Sequence, residues 1–279
     1  MSIGRRHRHR GSAEWVLLLP GLGFLLLFFV YPLSVIVYRS IAAPDGFTLA
    51  RFLRTFPVPA YRDAWINTVW FASLSTVIAA VGGTYVGYWT SRLPLRMKGF
   101  LLSLYAIPVT LSGLVVAFGF IVLFGRNGVV NQLLLSVGLP RLVELYTWSG
   151  LLFVFPFYNI PLFALVMTPL FETLGRDLVD AARVSGARGW AVWRYVLLPN
   201  LLPGLLAGAS VVQALMMGAF GTALAITGFA KNLLSLQVYS LAAESTFDLP
   251  QANALAVLLM GSIGTALWVL TRWERRYRA

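Results

Sequence analysis

The chain has no cysteine, which excludes disulfides, thiolate metal sites and cysteine nucleophiles. Acidic residues are scarce: Asp and Glu number 10 against 22 Lys and Arg, and only 11% of the 279 residues are charged. Lysine occurs only at Lys98 and Lys231, followed by Gly99 and Asn232, so the G-x-x-x-x-G-K-[ST] loop that cradles nucleotide phosphates is missing. No G-x-S-x-G, H-E-x-x-H or paired-acid constellation is present either, and no catalytic residue is expected. The two histidines, His7 and His9, alternate with Arg6, Arg8 and Arg10, a setting that repels a metal cation. No metal and no cofactor is therefore expected to bind this chain.

What fills the sequence instead is hydrocarbon. Hydrophobic residues make up 58% of it and mean hydropathy is +0.77, beyond what a soluble domain of this size carries. The apolar residues fall in runs long enough to cross a hydrocarbon core, which takes about 20 residues per helix. The pattern predicts an all-α membrane protein with six spans, near Trp15 to Tyr38, Ala64 to Thr90, Phe100 to Phe124, Leu145 to Leu170, Asn200 to Ile226 and Gln251 to Thr271. Residues 15–271 form one transmembrane domain between basic tails at 1–14 and 272–279. The apolar run after the N-terminal arginines is too long for a cleaved signal peptide and is expected to be the first span.

Positive charge is distributed by side. Arg5 to Arg10, Arg92, Arg96, Lys98, Arg176, Arg183, Arg188, Arg194 and Arg272 to Arg278 fall in alternate segments of a six-span chain. The opposite segments hold fewer cations and most of the loop acids, including Asp45, Asp63, Glu144 and Asp248. Both termini and the loop at 171–199 are therefore expected on the cytoplasmic side. This asymmetry accounts for the net charge of +12 without a nucleic-acid partner.

Between the fourth and fifth spans lies Asp180-Ala181-Ala182-Arg183-Val184-Ser185-Gly186, followed by Val196-Leu197-Leu198-Pro199. Asp180 suits a helix start, the alanines favour a helix and Gly186 allows a tight stop. Small side chains at Ala181, Ala182 and Gly186 let another surface come close, while Arg183 and Arg188 offer charge-assisted contacts. The spacing resembles the E-A-A, three residues, G, nine residues, I-x-L-P motif of permease subunits of binding-protein-dependent ABC importers. Asp180 stands where that motif has Glu and Val196 where it has Ile.

The resemblance implies the six-helix type I (MetI-like) importer architecture in a bacterial inner membrane. In it, Asp180, Ala181, Ala182, Arg183, Gly186, Arg188 and Pro199 form a coupling helix and its anchor, seated on a pair of cytoplasmic ATPases that bind the ATP. It further implies a second permease subunit, identical or homologous, and an extracytoplasmic solute-binding protein. Leu19-Pro20-Gly21, Tyr31-Pro32-Leu33 and Phe220-Gly221-Thr222-Ala223 look most like the branch serving polyamines, ferric iron, thiamine and phosphonates.

A carrier driven by ions keeps ionisable residues at bilayer depth, and none of the six predicted spans has one well inside its boundaries. The alternative from another class is a passive channel or ion-coupled carrier, although no filter sequence or charged pore ring is visible. For the path itself, Gln213, Ser210, Asn159 and Ser112 are the candidate polar side chains. Pro108, Pro156 and Pro161 free backbone carbonyls in the third and fourth spans, which with the fifth are expected to surround the path. Gly83 and Gly87, and Gly204 and Gly208, are spaced for close helix packing, either within the chain or against a second permease. The outer segments Ala42 to Asp63 and Gly125 to Glu144 either touch a delivery protein or only join helices, and Val129 to Leu135 is expected to form a short interfacial helix.

Overall fold

A computed structural model describes residues 19–44, 46–244 and 248–278. The basic tail at 1–14 and the expected beginning of the first span at Trp15 lie outside the described residues. Among the described residues, six helices are long and apolar enough to cross a membrane.

The first crossing is α1 (Leu19–Ile41). Its backbone widens into a π turn at Leu26–Val30, just before Pro32, which moves aside the carbonyl the proline ring would otherwise strike. A short hairpin of β1 (Ala42–Ala43) and β2 (Gly46–Phe47) and the helical turn α2 (Ala50–Thr55) lead to α3 (Pro59–Ser91). At 33 residues, α3 extends roughly 50 Å, longer than the hydrocarbon core is thick.

The third crossing departs from the sequence expectation. Instead of one helix from Phe100 to Phe124, the expected span is divided into α4 (Leu95–Thr110) and α5 (Gly113–Phe124), separated by Leu111 and Ser112 in extended backbone, and the apolar stretch long enough to cross runs from Gly113 to Ser136. Pro108 removes an N–H from the last turn of α4, and the helix ends two residues later. After a tight turn, α6 (Val129–Ser136) is the short helix expected there.

The fourth crossing is α7 (Trp148–Thr173), followed by α8 (Gly175–Val184). The fifth also differs from expectation: α9 (Gly189–Met217) begins well before Asn200 and closes at Gly218. A separate helix, α10 (Gly221–Thr227), continues from there. The segment from Gly218 to the non-helical Phe220 cuts the run that hydropathy alone reads as continuous. The chain then forms α11 (Leu234–Ala243) and the last crossing, α12 (Leu249–Arg278).

The four glycines are spent within the chain. A Cβ at Gly83 would lie 2.4 Å from the Phe163 Cβ, and one at Gly87 would lie 2.9 Å from the Met167 Cβ, so α3 lies directly on α7. Gly204 faces Leu170 and Gly208 faces the Phe163 ring, which brings α9 onto α7 beside α3. Phe155, Phe163 and Met167 of α7 are fully buried at this junction. The fourth crossing is thus the spine of the bundle, whereas α1 has no buried residue in its most apolar stretch and packs along α12 at the edge.

Candidate functional site

Two features deserve a functional reading: the α8 segment and a cavity where two broken helices meet. α8 follows α7 after one residue, Leu174, whose backbone is itself helical. The helix therefore begins at Gly175, and Asp180 lies in its middle and not at its start, because the chain needs no new cap to turn from one helix into the next. Val179 is buried and Ala182 half-buried, while Asp180, Ala181 and Arg183 are exposed. Asp180 and Arg183 pair one turn apart at 3.7 Å, with both side chains well exposed. An ion pair in that setting contributes little to stability, so both charges remain available to a partner.

The end of α8 is a Schellman closure. Ala187 N–H donates to the Ala182 carbonyl at 3.0 Å, and Gly186 N–H donates to the Arg183 carbonyl at 2.9 Å. Gly186 has φ of +87°, a conformation that L side chains avoid. A Cβ there would meet nothing within 4 Å, so within this chain the need for glycine is conformational. Arg188 follows in extended backbone, exposed, and immediately precedes α9 without a side-chain capping bond.

Pro199 lies inside α9 and does not mark its beginning. The π turn Trp193–Leu197 precedes it, with Leu198 N–H reaching back to the Trp193 carbonyl. The Asn200 amide donates to the Val196 carbonyl at 2.7 Å, satisfying a group exposed by the irregular turn. This is the same device that accommodates Pro32 in α1.

The large side chains crowning the segment were missed by the sequence reading. Val184 is 89% exposed, Trp190 76% and Tyr195 74%. The Arg194 guanidinium lies 5.9 Å from the centre of the Tyr195 ring. The available signal was the presence of Val184, Trp190 and Tyr195 in a stretch rich in Arg and small residues. Uncovered apolar groups clustered with charges are the composition of a protein-docking surface.

The second feature is a cavity of about 340 Å³. Its walls are the break in the third crossing (Pro108, Ser112, Gly113), Tyr158 of α7, and the break in the fifth crossing (Phe220, Thr222). The Thr222 hydroxyl donates to the Gly113 carbonyl at 3.0 Å, so the two breaks are tied together across it. Its lining includes no Asp, Glu, Lys or Arg.

The four polar candidates are not brought together. Ser112 lines this cavity. Gln213 lines a separate apolar crevice of about 860 Å³ between α3, α9 and α12, where its amide lies 3.4 Å from the Ser73 hydroxyl. Ser210 turns its hydroxyl back to the Leu206 carbonyl at 2.8 Å. Asn159 is fully buried, its amide nitrogen 3.0 Å from the Met216 sulfur, and its Oδ1 has no hydrogen-bond partner among the described residues. Among those residues no cluster of three His, Cys, Asp or Glu is placed to hold a metal ion.

Comparison with known proteins agrees with this architecture. The family model described as "Binding-protein-dependent transport system inner membrane component" matches residues 79–277. The chain is 26% identical over 262 residues to the spermidine/putrescine transport system permease protein PotB of Escherichia coli (strain K12), covering 91% of this chain and 94% of that protein. It is 32% identical over 161 residues to the molybdenum transport system permease protein ModB of Azotobacter vinelandii, covering 58% of this chain and 70% of that protein. Among solved structures, a bacterial ABC transporter involved in import of the acidic polysaccharide alginate matches with a TM-score of 0.77 at 16% identity, over 96% of both chains. An inward-facing MetNI methionine ABC transporter matches with a TM-score of 0.56 at 16% identity, over 82% of this chain and 97% of that one. The chain belongs to the family of binding-protein-dependent transport inner membrane components: it is an inner-membrane permease subunit of an ABC importer, with the six-helix type I (MetI-like) fold.

Proposed function

We propose that α8 is the coupling helix of this importer, presenting Asp180, Ala181, Ala182, Arg183, Gly186 and Arg188 to a pair of cytoplasmic ATPases. The observation that carries the reading is the combination of Val184 at 89% exposure with a Schellman closure at Gly186. It gives an uncovered apolar tip on a helix whose end is rigidly defined. Trp190, Tyr195 and Arg194 extend the same docking surface, and Pro199 joins it to the span above. ATP is bound by the partner ATPases, and this chain supplies no catalytic group and no cofactor site.

The cavity between α4, α5, α7 and α10 is the part of the translocation path that this subunit contributes, with Ser112, Tyr158 and Thr222 as its polar groups. Asn159, one residue along from Tyr158, is the next candidate, whereas Gln213 belongs to the other crevice. A lining without charge suits a small polar solute recognised mainly by its delivery protein. The relatives named for spermidine/putrescine and for molybdenum transport differ widely in solute, consistent with recognition lying outside the permease path. A second permease, identical or homologous, completes the path. Both termini face the cytoplasm, as the distribution of arginine requires.

The test is solute-stimulated ATP hydrolysis in liposomes that contain the permease, its ATPase and the binding protein. Val184→Asp and Gly186→Trp are expected to abolish stimulation while leaving the permease inserted. Solute flux by this chain alone, with no ATPase bound, would replace the reading with a channel or ion-coupled carrier.

A further inference from the structure

Three of the four described ion pairs join residues no more than three apart in sequence: Arg62–Asp63, Arg141–Glu144 and Arg183–Asp180. The fourth is different in kind. Lys98, in the first turn of α4, donates its ammonium to the Glu172 carboxylate near the end of α7, 74 residues away. The Lys98 side chain is only 17% exposed, so most of its length is held by protein. Glu172 lies just ahead of Gly175, where α8 begins.

Two further contacts surround this pair. Thr90 of α3 and Tyr105 of α4 share a hydrogen bond at 3.0 Å between their hydroxyls. The Tyr88 ring of α3 meets Phe171, the neighbour of Glu172, edge to face at 5.3 Å. The contacts of Thr90 and Tyr88 fix α3 to α4 and α7 respectively. Among the described side-chain hydrogen bonds and ion pairs, Lys98–Glu172 is the one that joins α4 to the residues leading into α8, beside the packing of α4 along α7.

α4 is also the element that reaches the cavity. Its 16 residues extend roughly 24 Å, with Lys98 near one end and Pro108 and Val109 in the cavity wall near the other. A regular helix of that length transmits displacement along itself, and its hinge is already present at Leu111–Ser112, where the backbone leaves the helix.

We propose that the Lys98–Glu172 pair is the link through which movement of α8 drives α4, and through α4 the wall of the cavity. Lys98 and Glu172 are positioning residues: they touch neither solute nor ATPase. The inference rests on the reading of α8 as the coupling helix. It adds which span α8 pulls and through which atoms. An ion pair suits this use, because it holds two helix ends under tension while its flexible stems allow the angle between them to change.

The experiment uses the reconstituted importer with its ATPase and binding protein, and reads uptake and ATP hydrolysis in the same vesicles. Lys98→Glu and Glu172→Lys, each alone, are expected to lower solute taken up per ATP hydrolysed at least fivefold while hydrolysis stays within twofold of native. The charge-swapped pair and the conservative Lys98→Arg are expected to recover most of the ratio. A merely structural role predicts uptake and hydrolysis falling together with the amount of folded complex, leaving the ratio unchanged, and that result overturns the proposal. Because the chain has no native cysteine, a crosslink from Val184→Cys to the ATPase reports docking without background. A crosslink that forms normally while the ratio stays native in both single variants sinks the Lys98–Glu172 link alone. No crosslink in the otherwise native complex sinks the coupling-helix reading beneath it.

Discussion

The Thr222 hydroxyl and the Gly113 carbonyl meet at 3.0 Å where the third and fifth crossings are both broken. The contact is tight: a Cβ on Gly113 would stand 2.4 Å from the Thr222 Oγ1. Two interrupted helices in a membrane need their freed backbone groups satisfied by protein or cavity water, and here a side chain from one break is hydrogen-bonded to the backbone at the other.

Gly113→Ala should therefore push Thr222 out of place, at a cost of about 1–3 kcal/mol for forced overpacking. Thr222→Ala on the same background removes the clashing hydroxyl and should recover part of that loss, at the expense of its hydrogen bond to the Gly113 carbonyl. Thermal unfolding of the purified permease in detergent measures both. If the two substitutions add without any recovery, the breaks are not coupled through this contact.

Glycines that look alike in sequence should respond oppositely to the same change. Gly83→Ala puts a Cβ 2.4 Å from the Phe163 Cβ and 2.9 Å from the Ile160 carbonyl oxygen, atoms that cannot rotate away. Destabilisation of at least about 1–3 kcal/mol is expected. Gly99→Ala, in α4, meets nothing within 4 Å and should stabilise the helix by roughly 0.5–1 kcal/mol. A melting comparison of the two proteins decides it, and a neutral Gly83→Ala would contradict the close approach of α3 to α7.

How much of this was visible beforehand differs by feature. Hydropathy gave the number of crossing helices and placed runs such as Leu145 to Leu170 closely, but the third and fifth only in part, at Gly113–Ser136 and Gly189–Met217. It could not find the breaks at Leu111–Ser112 and Gly218–Phe220, since one small or polar residue at each leaves the run apolar on average. Only Pro108 and Gly218 hinted at them. The motif from Asp180 to Pro199 gave the position of α8 and its glycine stop, but placed the helix start five residues late, because Asp180 resembles a cap and Leu174 does not. The exposure of Val184 was hidden, since an isolated Val in a loop reads as ordinary. The Gly83 and Gly204 pairs were readable as close packing, yet which helix they meet depends on tertiary arrangement. Lys98 and Glu172, 74 residues apart, carry no local signal that they touch.

At Gly186, conformation and contact can be separated. Gly186→Asn, which tolerates positive φ, should leave the α8 terminus folded, whereas Gly186→Val should disturb it at a cost of about 1–2 kcal/mol. Copurification of the ATPase with each permease variant reads the consequence. Retention with Asn and loss with Val assigns the role of Gly186 to backbone shape. Loss with both assigns it to close approach of the partner.

On the other side of the fold, Arg51 offers a test of how the first crossing is held. Its Nη1 donates to the carbonyls of Arg39 at 3.3 Å, Ser40 at 3.1 Å and Ala42 at 2.8 Å, the unpaired groups at the end of α1. A cation there also opposes the negative end of the helix dipole. The Gln251 amide donates to the Arg51 carbonyl at 3.3 Å, so the same residue ties α1 to the start of α12. Arg51→Ala should cost roughly 1.5–3 kcal/mol, the range for hydrogen bonds from a charged donor. Arg51→Lys should recover the charge but not the reach of the planar guanidinium across neighbouring carbonyls, and so restore only part. Limited proteolysis between residues 42 and 58 measures the effect: cutting should be fastest in Arg51→Ala, intermediate in Arg51→Lys and slowest in the native chain. Equal cutting of all three would mean that α1 is held at this end by its packing along α12 and not by the cap.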